Sequence, residues 1–96
     1  MTLKGKHLYG AEGEDIGEVQ DMVGMDGEAP QWVTVKTGLL SKRLVPFTLI
    51  RETEDRLESD LTSDDVKSAP KVPAHVEPAG EDLGNLRRHY RLDGGT

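Results

Sequence analysis

The chain has 96 residues, of which 34 % are apolar, and it carries 18 acids against 12 bases for a formal net charge of -6. This length allows one small domain with a thin core, because small domains bury proportionally little of their surface. The absence of cysteine excludes disulfide staples, thiol nucleophiles and sulfur-ligated zinc or iron. The acidic balance opposes non-specific binding to nucleic acid, which draws its energy from cations displacing counterions. The segment MTLKGKHLYG has no apolar run of signal-peptide length and nothing approaches a membrane span, so a soluble, cytoplasmic protein is expected.

In chain order, LKGKHLY (3–9) is expected as a first short strand and residues 10–15 as a turn. Ile16 to Val23 follows, with Ile16, Val19 and Val23 out of strict alternation. That spacing fits a bulged strand or a helix, and Gly17 and Gly24 favour the strand. Asp26 to Pro30 reads as a tight turn, and WVTVK should pair with 16–23 as a hairpin, with Trp32, Thr34 and Lys36 on one face and Val33 and Val35 on the other. After Gly38 to Arg43, Val45, Phe47 and Leu49 alternate again, with Pro46 suggesting an edge or a bulge. Arg56 to Glu58 is expected as a last weak strand within an acidic, solvated stretch.

Thr62-Ser63-Asp64-Asp65 has the form of a capping box, with Val66 and Ala69 as a one-turn apolar stripe that Pro70 ends. Residues 70–80, with three prolines, form an extended connection. Beyond it Leu83, Leu86 and Tyr90 make one helical face over 81–90, with Glu81 and Asp82 at its start and Arg87, Arg88 and Arg91 at its end, an order that suits the helix dipole.

Residues 13–47 carry a family likeness. Their Gly-x-x-Ile-Gly turn and strand, acidic turn, Trp-Val-x-Val strand, Thr-Gly-Leu-x-x-x-Arg loop and Val-Pro strand resemble the PRC-barrel domain, in particular its bacterial stand-alone form. The likeness continues through Val66-Lys67-Ser68-Ala69-Pro70 and reaches Leu86-Arg87-Arg88-His89-Tyr90. The resemblance implies a mainly β fold: a small, highly curved barrel over 1–70 including a short helix at 62–69, a connection at 71–80, and a C-terminal helix and tail over 81–96. It implies no known chemistry. Related barrels serve as docking modules in the cytoplasmic subunit of photosynthetic reaction centres and in a ribosome maturation factor. Two departures carry expectations. Ser59 stands where the family usually has valine, so the last strand should be frayed, and Arg91 stands where glycine usually ends the helix, which argues against the usual C-cap.

Catalysis finds little support. His7, His75 and His89 lack metal-site spacing, Ser41 and Ser63 lack a nucleophile context, and the glycines at 10, 13 and 17 lack the β-α-β setting of a dinucleotide fingerprint. Asp26, Gly27 and Glu28 fall short of a calcium loop. No catalytic, cofactor or metal site is expected, and the chain is read as a non-enzyme.

The interaction candidates are Trp32, Leu39, Leu40, Lys42, Arg43, Leu83, Leu86, Arg87, Arg88 and Tyr90. Trp32 reads either as a core residue or as an interface anchor. One of Leu39 and Leu40 should be exposed, with Lys42 and Arg43 as a basic rim. The plainer account has Arg43 paired with acids from 52–60 and a leucine plugging a barrel end. The favoured function is a protein-interaction or scaffold module that self-associates as a homodimer. In that reading the C-terminal helix is carried away by the stiff connection, docks over Trp32 or the leucine loop of a neighbouring subunit, and brings Arg87 and Arg88 to acids of 52–65. The alternative is an RNA or ribonucleoprotein accessory protein using Lys42, Arg43, Arg87, Arg88, His89 and Arg91, with Tyr90 for stacking.

Overall fold

A computed structural model describes residues 3–26 and 29–92, with their side chains except at positions 25, 26 and 29. Six strands, β1 (His7–Tyr9), β2 (Asp15–Asp26), β3 (Ala29–Lys36), β4 (Lys42–Pro46), β5 (Ile50–Glu52) and β6 (Leu57–Ser59), precede two helices, α1 (Ser63–Lys67) and α2 (Gly80–His89). The strands form one mixed sheet in the order β4-β3-β2-β1-β6-β5. The β1–β6 contact is parallel and the others are antiparallel. A 3-10 turn, Phe47–Leu49, joins β4 to β5, the strands at the two ends of that order.

The first strand is shorter than its apolar residues suggest. The Lys6 N–H donates back to the Leu3 carbonyl at 3.1 Å, closing a turn over 3–6 that keeps Leu3 buried, while Gly5 and Lys6 still exchange backbone hydrogen bonds with Val19 of β2 at 2.9 Å.

β2 resolves the ambiguous spacing as a strand with two bulges. Against β1, Leu8 faces Gly17 and Tyr9 faces Asp15, so Ile16 is the extra residue. Against β3, Val19 faces Val35 and Asp21 faces Thr34, so Gln20 is extra. An inserted residue resets the period-2 phase, which is why Ile16, Val19 and Met22, three apart, all pack in one cluster. Gly17 is required at the bend, since a Cβ there would lie 2.1 Å from the Lys36 carbonyl oxygen. The β2–β3 pairing continues to Asp26 opposite Ala29, and the middle of the expected Asp-Gly turn, at Gly27 and Glu28, lies outside the described residues.

Alternation along β3 sends side chains into two cores. Val33 and Val35 join Leu8, Val19, Val45 and Leu57 in the first cluster, which Val66 of α1 completes. Trp32 joins Leu44 from β4, Ala69, and Leu86 and Tyr90 from the C-terminal segment in the second. Thr34, on the Trp32 face, is also fully buried and donates its hydroxyl hydrogen to the Ala74 carbonyl.

β6 is not frayed. It lies between β1 and β5 in the sheet, with Leu57 opposite Leu8 and Ser59 opposite Ile50. Backbone pairing does not need the missing methyls of a valine, and the buried Ser59 hydroxyl is satisfied by the Leu61 N–H at 3.1 Å.

The capping box at α1 forms as expected. Thr62 Oγ1 accepts from the Asp65 N–H at 3.1 Å, and Asp65 Oδ2 accepts from the Thr62 N–H at 2.9 Å. A second carboxylate reaches the same helix start: Glu14 accepts from the Ser63 N–H at 3.1 Å and from the Glu12 N–H at 3.0 Å. Hydrogen bonds from its own backbone N–H and that of Ser63 hold the Glu14 carboxyl below its ordinary range.

α2 ends in a Schellman motif without glycine. The Leu92 N–H donates to the Arg87 carbonyl at 2.8 Å and the Arg91 N–H to that of Arg88 at 3.2 Å, while Arg91 adopts φ +60°. The cap therefore forms despite the departure from the family pattern, because Leu92 gains packing beside Leu86 and Tyr90. A non-glycine residue in this conformation costs roughly 1–2 kcal/mol. Arg91→Gly is accordingly expected to stabilise the protein by about 1 kcal/mol, raising Tm by about 4–8 °C in a thermal melt.

Candidate functional site

The β3–β4 hairpin ends in a tip closed by the Thr37 N–H, which donates to the Ser41 carbonyl at 2.9 Å. Beyond this closure stand Leu39 and Leu40, 86 % and 94 % exposed. Where the sequence predicts one of the pair to be exposed, both are: the side chains project past the last rung of the ladder, Lys36 opposite Lys42.

At the base of the tip, the Lys42 ammonium donates to His75 Nε2 at 3.3 Å. Arg43 Nη1 donates to the Lys42 carbonyl at 3.0 Å, and its Nε–H is buried with no partner among the described residues. The expected pairing of Arg43 with acids of 52–60 does not form. Three of those acids are engaged by other cations instead: Asp60 by Arg51, Glu58 by Arg56 and Glu52 by Lys6, at 3.0, 3.0 and 3.1 Å. Nor does a leucine of the tip plug the sheet, since Val66 of α1 enters the first core.

Trp32, Leu83, Leu86 and Tyr90 come together within one chain and face inward. Trp32 is 4 % exposed, beneath the C-terminal segment of its own chain. The Tyr90 hydroxyl donates to the Leu44 carbonyl at 2.7 Å. Burial, then the nearby Asp65 charge, pushes the Tyr90 phenol well above its usual value. His89 packs edge-on against Tyr90 and donates from Nε2 to the Asp65 carbonyl at 2.6 Å. The expectation that a stiff connection carries α2 to a neighbouring subunit is therefore corrected. The connection is tied to the sheet at Thr34 and Asp21, so the helix reaches the Trp32 face of its own chain. Arg87 and Arg88 lie on the exposed side of α2, with Arg88 bonded to Asn85 of the same helix rather than extended toward 52–65.

His75 is the residue that sequence reasoning missed. Its Nδ1–H donates to Asp21 Oδ2 at 3.0 Å while Nε2 accepts from Lys42, the neutral tautomer that serves both partners. It links the connection to β2 and to the base of the tip. Separations of 54 and 33 residues left no local spacing that could have revealed this. The His75 hydrogen bond, followed by that of the Met22 N–H and the charge of Lys4, holds the Asp21 carboxyl below its ordinary range.

Two grooves flank the sheet. One, of about 470 Å³, is lined by Leu3, Met22, Pro30, Phe47, Ile50 and Leu57 with Glu52. The other, of about 630 Å³, runs between Trp32, Phe47 and Leu83 with Glu77 and Arg87 at its sides. Among the described residues no group of three or more His, Asp or Glu side chains is placed to hold a metal ion.

Residues 2–66 match the PRC-barrel domain, and the chain belongs to that family. The connection carrying His75, and α2, lie beyond the matched segment. Comparison with the curated proteins finds no significant match.

Two outcomes follow from this geometry. Truncation after Pro78 removes the cover of the only tryptophan, so emission should shift to the red. In the intact chain, the buried emission should persist on dilution, because the cover belongs to the same molecule. For Asp21, the folded-state pKa lies below the unfolded one, so its contribution to stability is present above the unfolded value near ~3.9 and is lost as pH falls through the folded one. Asp21→Asn should flatten the acid limb of the stability profile below about pH 4, measured as denaturation midpoints across pH.

Proposed function

We propose that this chain is a non-catalytic docking module of the cytoplasm whose contact surface is the Leu39–Leu40 tip. The observation that carries the reading is the exposure of two adjacent leucines on a braced hairpin end beside Lys42 and Arg43. Exposed leucines are ordinary singly, but a pair at a tip with a cationic base suits an acidic, partly apolar partner surface. Their burial would contribute roughly 3–6 kcal/mol, against an association cost of 4–15 kcal/mol, so contacts beyond the tip must add to it. The family likeness, including that to the reaction-centre and ribosome-maturation barrels, supports docking over chemistry.

In the same reading the sheet closes into the curved barrel of the family. Support comes from the first core, where residues of β1, β2, β3, β4 and β6 meet in one cluster. A flat six-stranded sheet would hold those side chains apart. The 3-10 turn also brings the two ends of the strand order together at one corner.

An RNA-binding role has weaker support. Arg88 is engaged by Asn85, and the net charge of -6 opposes phosphate. To test docking, a photo-crosslinking amino acid is placed at Leu40 in living cells, with exposed Lys71 as the control position. A protein adduct specific to Leu40 is the expected result. RNA adducts, or no tip-specific product, would dismiss the reading.

A further inference from the structure

The groove lined by Leu3, Met22, Phe47, Ile50 and Leu57 is apolar, and its one charged lining residue is Glu52. Glu54 and Asp55 follow on the exposed β5–β6 turn, giving that rim an acidic character. The hairpin tip has the complementary make-up, with Leu39 and Leu40 outermost and Lys42 and Arg43 behind them. We propose that the tip of one copy of this chain seats in the groove of a second copy, so that the protein associates head to tail. This rests on the docking reading above and names the partner.

Three observations favour a second copy as occupant. First, the groove's volume of about 470 Å³ exceeds that of two isobutyl groups, and its walls are mainly aliphatic. Second, the charges are matched: the cations behind the leucines meet the acids beside the groove, in a protein whose net charge of -6 otherwise drives copies apart. Glu52 already accepts from Lys6 at 3.1 Å, but this is an exposed pair, which holds its carboxylate weakly. Third, tip and groove lie at opposite ends of β3. Pro30, near its start, lines the groove, and the tip follows its last residue, Lys36. A tip cannot reach the groove of its own chain across roughly 20 Å of extended strand, whereas a neighbour's tip can.

The 630 Å³ groove is the poorer seat, because Arg87 stands in its wall beside Glu77 and leaves it without the net negative charge that Glu52 gives the other. The contact joins unlike surfaces, so it leaves a free tip at one end and a free groove at the other. Growth then proceeds to a ring or an open chain, depending on the rotation between copies, and does not stop at two.

Sedimentation equilibrium on the full chain to millimolar concentration tests this with three proteins. The wild type should rise in weight-average mass past that of a dimer. A tip variant, Leu39→Asp with Leu40→Asp, and a groove variant, Glu52→Lys, should each associate at least tenfold more weakly, roughly the effect of placing like charges at a contact. Mixed one to one, the two variants should form a 1:1 complex that grows no further, since only one tip and one groove remain intact between them. Ile50→Lys serves as a second groove variant, and circular dichroism establishes that each variant is folded. A monomeric wild type, a tip variant that associates as well as the wild type, or a mixture that stays monomeric would overturn the proposal. If the Leu40 crosslink then joins a different protein, docking stands and self-association falls. If no crosslink forms either, both fall.

Discussion

The burial of β3 on both faces is the constraint on which the rest of this structure depends. Val33 and Val35 need an apolar cover on one side, and Trp32 and the fully buried Thr34 need one on the other. A single layer of sheet cannot supply both. The chain meets the first need by gathering side chains from five strands and α1, and the second by laying the connection and α2 across the Trp32 face. Two polar groups on that face find partners: Thr34 bonds the connection and Tyr90 bonds the Leu44 carbonyl. Either group left alone under the helix would carry the cost of a buried unsatisfied polar atom.

This arrangement explains how a chain with so little apolar content holds two cores. The family's matched segment provides the sheet and all of the first cluster, while the residues after it provide Ala69, Leu86 and Tyr90 for the second. Large side chains that look like interface anchors in the sequence are consumed in this internal docking. Trp32 and Tyr90 have the size and amphipathic character of hot-spot residues, and they use both within one molecule. Among the described residues, the leucine pair at the hairpin tip and the apolar groove beside Glu52 are apolar surface left uncovered by this internal docking.

Charge is arranged locally more than globally. Acids pair with cations close by in space, as Asp60 does with Arg51 and Asp21 with Lys4, and Glu14 binds backbone N–H groups at the start of α1. Exposed pairs of this kind contribute little individually. Their consequence lies in position: the cations of the tip are left with His75 and a backbone carbonyl for partners, and so the tip remains distinct in sign from the acidic surface around it.

Much of this fold was legible in the sequence because its signals are local. The capping box of Thr62 and Asp65, the β2–β3 hairpin, the bulge implied by Ile16 and Val19, and the alternation of Trp32 against Val33 each depend on neighbours within a few residues, where backbone sterics and hydrogen bonding act. The helical face of Leu83, Leu86 and Tyr90 was equally plain. What covers that face was not, because an apolar stripe states that it must be buried and carries no address. Tertiary structure supplied the address through contacts between residues distant in sequence, Thr34 with Ala74, Asp21 with His75 and Leu44 with Tyr90. It also decided the fate of Ser59 and Arg91. The sequence by itself marks both as departures from a pattern. Only the packed chain shows that Ser59 satisfies its hydroxyl within a doubly paired strand, and that Leu92 packing offsets the cost of a left-handed arginine.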